Sequence, residues 1–409
     1  MDAMAARMPA LRQDLDVMPS PVADRPGLLV RDPMGFAEGM LIVPPPLIPL
    51  LAIFDGQSDV ADVKAALVRQ AGDVRAAAVV DQLLEAFGDG GFLVDDTYAA
   101  RRAAKERAFA DAPIRPPAHA GSAYPDEAEA LARTLDGWLA GARRPRPDLV
   151  AIAAPHVSPE GGWRSYAAAF GALDPSLAGR TFVVLGTSHY GPAETFGLTR
   201  KPFATPFGET TTDAAIVAEL ERAGGTAEDY CNAVEHSIEF QVVFLQHLFG
   251  PAVRVVPILC GPFAAATRGE GLPEDDPAVR RFLDALRALW ERERERLFFV
   301  LGVDLAHVGR RYGDAESARA HERGMIRVSE RDRDRLERVR DGDATGFWRL
   351  VQEDADDLKW CGASPLYAFS RTVAHARGEI LEYEQWNIDA ESVVTFAGLS
   401  VPREEREIR

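Results

Sequence analysis

Histidine recurs at one kind of place in this chain. His156 follows the apolar run "VAIAAP", His189 follows "VVLGTS", and His307 closes "VLGVDLA". Imidazoles, carboxylates and thiolates are the usual protein donors to divalent transition metals. A lone histidine in such a spot is more often a turn cap or a satisfied core residue. Three of only eight histidines repeating the placement favour convergence on one site. Further donors are available: Asp304, three residues ahead of His307; Glu235 and His236 in "VEHSIEF"; and Cys361 in "WCGASP". Cys361 reads as opening a helix, "CGASPLYAFSRTVAHA", whose amino end would lower the thiol's pKa toward the thiolate that binds metals. The residue type alone leaves it balanced between that role and a small buried hydrophobe. Cys231 and Cys260 read as structural.

The elements that must position these groups show in the texture of the sequence. "DLVAIAAPH", "TFVVLGTSHY", "VRVVPILCG" and "LFFVLGVDLAH" are short, nearly continuous apolar runs, as expected of strands covered on both faces. Between them lie helical patterns such as "DAAIVAELERAG", "SIEFQVVFLQHLF" and "DPAVRRFLDALRALWERERER". The alternation predicts an α/β domain over 118–403, a mainly parallel or mixed sheet sandwiched by helices. Sites in such sheets form outside the carboxyl ends of the strands, where His156, His189 and His307 are expected. Ahead of this domain the reading gives a loose leader at 1–20, a small unit at 21–97, and a linking helix with a breaker-rich loop at 98–117. The small unit reads helix, turn, helix, then "GDGGFLVDD" as a turn into a short strand, which is a winged-helix-like pattern.

Charge decides what that small unit is for. Residues 21–100 carry five basic and twelve acidic side chains, so a packing or interaction module is favoured over a DNA-binding one. The whole chain has 46 basic and 63 acidic residues, net -17, which argues against nucleic acid or an anionic membrane as partner. The most apolar stretch, "GMLIVPPPLIPLLAIF" at 39–54, holds four prolines in 16 residues and falls short of a spanning helix. Three scattered cysteines and an opening without an apolar signal segment predict a soluble protein of the reducing cytoplasm.

Several blocks together carry a family resemblance. "AGSAYP" at 120–125, "APH" at 154–156, "LGTSHYG" at 185–191, "KPFATPFGE" at 201–209, "EHSIEFQVVFLQHL" at 235–248, "GVDLAHVG" at 302–309 and "CGASPLY" at 361–367 look like the successive blocks of the Memo family. Its bacterial members are called AmmeMemoRadiSam system protein B. That family's fold is similar to the class III extradiol dioxygenases, non-haem iron enzymes with two histidines and a carboxylate on the metal. The resemblance implies His156 and His189 as the histidine ligands, and Cys361 where the Memo pattern replaces the carboxylate. Asp304 and His307 fall on the family's Asp-x-x-His, implying a catalytic acid/base at His307, with Asp304 orienting it or adding a ligand. Glu235 and His236 are expected to support the ligands from behind. Iron is the metal the resemblance implies first, with copper or zinc also suited to a thiolate. A radical S-adenosylmethionine protein and an AMMECR-domain protein are implied as partners, beside an unnamed small-molecule substrate. Two departures stand out: "HVSPEGGWRSY" replaces the animal-type "HAGYxYSG", and "DLAH" replaces the common "DLSH". Two functions fit this reading: a metal-dependent, dioxygenase-like or redox enzyme, or a non-catalytic metal-binding scaffold with a vestigial cleft.

Overall fold

The computed structural model describes residues 7–20, 22, 24–269, 271–374 and 377–403. The chain divides into two units, Met1–Asp111 and Ala112–Arg409.

In the first unit, β1 (Asp16–Pro19), β2 (Leu28–Arg31) and β3 (Met40–Val43) form an antiparallel sheet with β2 in the middle. The described part of the expected leader is therefore structured. Met8 is buried with Val30, Phe54 and Phe87, and β1 is held by its ladder to β2. Prolines end β3 and start a 3-10 turn over Pro45–Ile53, which splits the apolar stretch at 39–54 between strand and turn. Helix α1 (Val60–Ala71) starts where the Asp59 side chain accepts from the Ala61 N–H, and stops at Gly72 in the left-handed region. Helix α2 (Ala76–Gly90) buries Val80, Leu83 and Phe87, one apolar stripe. The strand expected next is reduced to a bridge between Leu93 and Leu11, because Phe92 and Leu93 are drawn into the core just before α3 (Asp96–Asp111). The strands thus precede the helices, and the winged-helix order is only partly met.

The segment expected as a linker is divided between the units. Helix α3 closes the first, and Arg115 is wholly buried in the second, where its backbone pairs with Pro202 and Ala204.

The second unit alternates strands and helices as its sequence predicts. In chain order it contains α4 (Ala128–Leu139), β4 (Leu149–Ala154), α5 (Pro159–Gly171), β5 (Thr181–Thr187) and β6 (Phe196–Leu198). The short β7 (Ala204–Thr205), β8 (Gly208–Glu209) and β9 (Thr211–Thr212) follow, then α6 (Ala214–Arg222), α7 (Cys231–Val234), α8 (His236–Phe249) and β10 (Arg254–Cys260). Next come α9 (Ala264–Arg268), α10 (Pro277–Glu293), β11 (Leu297–Gly302) and β12 (Asp304–Gly309). The chain ends with α11 (Met325–Arg340), α12 (Ala344–Gln352), α13 (Ala363–Thr372), β13 (Glu379–Asp389) and β14 (Ser392–Pro402).

Among the described residues these strands build a nine-stranded mixed sheet in the order β12-β14-β4-β11-β5-β10-β6, with β13 on β14 and β9 on β10. The apolar runs β4, β11, β5 and β10 form its parallel centre, and antiparallel strands extend both edges. Alternation along the strands supplies two faces. Val183, Leu185, Phe299 and Leu301 join a core with α10, α12 and α13, whereas Phe182 stacks on Phe249 of α8. Helix α8 is nearly all buried, with Phe244 stacked against Tyr166 and Phe170 at 4.7 and 4.8 Å.

Two glycines let α8 reach the carboxyl ends of the strands. A Cβ at Gly302 would lie 2.0 Å from the Ser237 carbonyl oxygen, and one at Gly186 would lie 2.5 Å from Ser237 Oγ. Only residues without a side chain allow the helix to sit this close.

Candidate metal centre

The loop after β4 carries His156, and Asp304 fixes it. Asp304 Oδ1 accepts from the backbone N–H of His156 at 2.9 Å and of Val157 at 3.2 Å. Gln241 on α8 donates to the Pro155 carbonyl, and the Tyr166 hydroxyl donates to that of Val157. His156 itself is buried, with its Nδ1–H donating to the Gly302 carbonyl at 2.9 Å. A carbonyl can only accept, so this bond fixes the tautomer and leaves Nε2 as the free donor atom.

The loop after β5 carries His189, and Glu235 does for it what Asp304 and Gly302 do for His156. Glu235 caps α8 by accepting from the N–H groups of His236 and Ser237. The same carboxylate accepts from the His189 N–H at 3.0 Å and pairs with its Nδ1 at 3.0 Å. His189 Nε2 is thereby turned outward, and its side chain keeps 23% of its surface exposed.

Cys361 comes from the turn just ahead of α13. Its carbonyl accepts from Thr187 Oγ1 at 3.0 Å, and the Gly362 N–H donates to the Asp304 carbonyl at 3.0 Å. A Cβ on Gly362 would stand 2.5 Å from that carbonyl oxygen, so glycine is required beside the cysteine. The thiol sulfur lies 3.2 Å from His156 Nε2. Donor atoms of His156, His189 and Cys361 all fall within 4.8 Å of one another. Strand ends β4 and β5 and the start of α13 therefore deliver the three expected ligands to one point.

The electrostatics suit a cation there. Burial alone would push the Cys361 thiol up, but the charges of His156 and His307, with hydrogen bonds from His156 and His189, bring it down to about 5. Burial opposes the charged form of His156, and Asp304 and Cys361 outweigh it, raising the ring to about 9. His189 is likewise held well above its ordinary value, against desolvation, by Glu235 and Cys361. These shifts favour a thiolate beside charged His156 and His189, and the same three side chains are donors that a metal ion could take in exchange for the protons.

Glu235 pairs with His189, and His236 lies against both candidate ligand histidines. Burial penalises the Glu235 carboxylate, yet His189 and His236 hold it well below its usual range. The His236 ring stacks on His189 at 4.9 Å and meets His156 edge-on at 5.2 Å, and burial lowers it to about 4. His189, Glu235 and His236 form a second close group of potential donors. Donors from His189, His236 and Ser237 already occupy both Glu235 oxygens, which marks it as an anchor rather than a ligand.

His307 departs from its expected place. Strand β11 stops at Gly302, and after Val303 the chain resumes as β12, antiparallel to β14, with His307 opposite Val394. His307 is therefore set within an edge strand, not at the carboxyl end of a parallel one. Its Nδ1 lies 3.0 Å from the Leu305 carbonyl and 3.1 Å from that of Lys359, and Tyr312 abuts the ring edge-on. Among the described residues its Nε2 has no hydrogen-bond partner, and its charge bears on the Cys361 thiol. Asp304 Oδ2 stands 3.6 Å from His156 Nε2.

Other residues that build the centre had no readable signature. Asp332 on α11 is fully buried and accepts from Trp360 Nε1 at 2.7 Å, Tyr383 OH at 2.8 Å and Thr395 Oγ1 at 2.7 Å. Thr395 in turn accepts from the Ala306 N–H at 2.8 Å. One carboxylate thus ties the residue before Cys361 to the strand that carries Asp304 and His307. "SERDRDRLERVR" looks like a solvated helix face, and nothing in it singles out Asp332. The "AGSAYP" block is an anchor: Glu239 on α8 binds Arg115, Tyr124 and the N–H groups of Ala118 and His119.

With this geometry in view, comparison with known proteins places the chain. The Memo-like protein family matches residues 115–400, nearly all of the second unit. The chain belongs to the Memo family. A MEMO1 family protein of Aquifex aeolicus is 25% identical over 380 residues, covering 91% of this chain and 95% of its own length. That span is longer than the second unit alone. MEMO1 family proteins of Thermococcus kodakarensis and Methanococcoides burtonii are 28% and 26% identical over 70% and 62% of this chain, and over 98% and 85% of theirs. The Memo domain is thus the second unit, and the first is joined to it in this chain.

Proposed function

We propose that the Memo domain binds one divalent transition metal through His156 Nε2, His189 Nε2 and Cys361 Sγ, and that this centre serves a dioxygenase-like or redox reaction on a small substrate. The observation that carries the reading is the convergence of three donors whose imidazole Nδ1 atoms are committed elsewhere. The donor set fits such an ion: two neutral nitrogens and one anionic sulfur. A metal held by these three side chains would supply Lewis-acid or dioxygen chemistry. Iron follows from the likeness to class III extradiol dioxygenases, while the soft thiolate also suits copper or zinc.

The chain's own residues have definable tasks. Glu235 and the Gly302 carbonyl orient the rings, Asp304 clasps the His156 loop, and His236 fills the space behind both imidazoles. His307, with its Nδ1 on carbonyls and its Nε2 free, is the proton acceptor or donor. A second reading has support from Cys361, since thiolates oxidise readily beside iron and oxygen. On that view the unit is a metal-binding scaffold. In either case a radical S-adenosylmethionine protein and an AMMECR-domain protein are proposed as partners from the family's naming.

Metal content of protein purified without chelator tests the first claim. Single alanine replacements of His156, His189 and Cys361 should each strip the metal, and Cys231→Ala should not. Equal metal in His156→Ala and wild type would overturn it. His307→Gln separates the two readings: as acid/base it should keep the metal and lose about 10²–10⁴-fold in any turnover found. Unchanged turnover with metal in place favours the scaffold.

A further inference from the structure

Backbone strain is concentrated just ahead of Cys361. Among the described residues, seven other than glycine have a positive φ. Four of them, Asp354, Ala355, Asp356 and Lys359, lie between α12 and that cysteine, with φ of 50° to 55°. Residues with a Cβ enter this region at a cost, and they stay there only where their surroundings hold them. Arg335 pairs with Asp356 at 2.7 Å, and the same carboxylate accepts from the Trp360 N–H at 2.8 Å. Arg331 binds Asp357 through both terminal nitrogens. Lys359 donates its N–H to the Asp356 carbonyl at 2.8 Å and its ammonium to Asp314 at 2.8 Å. The other oxygen of Asp314 accepts from the Gly309 N–H at 2.8 Å, on the strand that carries His307.

Strand and segment meet on that histidine. The Leu358 carbonyl accepts from the His307 N–H at 2.8 Å, and the next carbonyl, of Lys359, lies 3.1 Å from His307 Nδ1. Successive carbonyls of an extended chain point to opposite sides. The left-handed φ at Lys359 turns the second one back to the same residue. The Leu305 carbonyl, from His307's own strand, approaches Nδ1 at 3.0 Å. Carbonyls only accept, so the neutral ring carries its proton on Nδ1.

We propose that Lys359 is a positioning residue for His307: its left-handed backbone aims a carbonyl that holds the ring in the Nδ1–H form and reserves Nε2 for proton exchange. The strain ahead of Cys361 thus has a task beyond placing the thiol. The use of a bare Nε2 in a reaction rests on the acid/base reading above, but the tautomer and its dependence on Lys359 do not.

Two-bond ¹H–¹⁵N correlation spectra of the full, metal-free chain labelled at histidine test this, with His307 assigned by the signal lost in His307→Gln. Once neutral, the wild-type ring should be protonated at Nδ1 and bare at Nε2. Lys359→Gly loses the ammonium but adopts the left-handed backbone without strain, so it should keep this tautomer. Lys359→Val sets a β-branched side chain against the same φ. Its ratio of Nε2–H to Nδ1–H form should exceed that of Lys359→Gly at least about fivefold. Lys359→Ala should fall between them, and it carries the comparison if Lys359→Val does not fold. His247, whose ring pairs with Asp136, should be unmoved in all three, which separates a turned carbonyl from a general loosening. A wild-type ring protonated at Nε2 overturns the proposal. So does the same ratio in Lys359→Gly as in folded Lys359→Val or Lys359→Ala. Unchanged turnover in His307→Gln removes the acid/base task alone, since the tautomer is read without metal or substrate.

Discussion

Proton inventory governs the candidate centre at the scale of single residues. A metal must displace the proton that keeps His156 charged up to about pH 9, while the Cys361 thiol is ionised from about 5 upward. Raising the pH therefore helps binding through the imidazole, and the thiol adds nothing further above 5. Apparent affinity should rise by about tenfold per pH unit for each proton displaced, the His156 share levelling off near pH 9 while His189, also held above its ordinary value, contributes in the same direction. Zinc competition against a chelating dye at pH 6, 7, 8 and 9 reads this directly; a flat profile contradicts the proton inventory. Asp304 offers a second test. Both backbone donors rest on its Oδ1, an atom that asparagine keeps, so Asp304→Asn should fold and retain metal. Asp304→Ala leaves two buried N–H groups without an acceptor and should cost on the order of 2–6 kcal/mol. Denaturant unfolding of the two variants distinguishes a clasp from a ligand: metal lost in Asp304→Asn with unchanged stability would make it a ligand.

Among the elements, α8, α11 and the turn before α13 share the work of assembly. Helix α8 brings Glu235, His236 and Gln241 to the strand ends, and α11 brings Asp332 beneath Trp360 and Thr395. Removing the Asp332 carboxylate strands two buried neutral donors, those of Trp360 and Thr395, each costing about 1–3 kcal/mol when unpaired, and also frees the half-buried Tyr383 hydroxyl. Asp332→Ala should thus lose on the order of 3 kcal/mol or more in chemical denaturation and loosen metal binding together with it. Metal affinity unchanged in the folded variant would show that Cys361 is held in place without Asp332.

Charge is the property that matters over the whole chain. The excess of seven acidic side chains in residues 21–100 and the net charge of -17 both repel phosphates. No salt-sensitive gel shift of duplex DNA is expected at physiological ionic strength. Such a shift would overturn the view that the first unit packs or docks on protein. Among the described residues no helix is long and apolar enough to cross a membrane, consistent with the prolines that break the stretch at 39–54.

Apolar periodicity and local chemistry sufficed to read the central strands and the helices between them and to single out His156 and His189 beyond strand ends, whereas Cys361, balanced by its residue type, was joined to them only by the family resemblance. Strands covered on both faces must be continuously apolar, and groups just beyond their ends have few places to point. The block pattern likewise carried the Memo family. Other features were decided only by tertiary contacts. Residues 8–19 were drawn into the first unit because Met8 fits its core and β1 finds β2, neither of which is a local property. His307 moved onto β12 because β14, which arrives from the far end of the chain, offers it a ladder. Asp332, Gln241 and Thr187 acquired roles only when distant segments met them, since a buried polar side chain and a solvated one are written with the same letter.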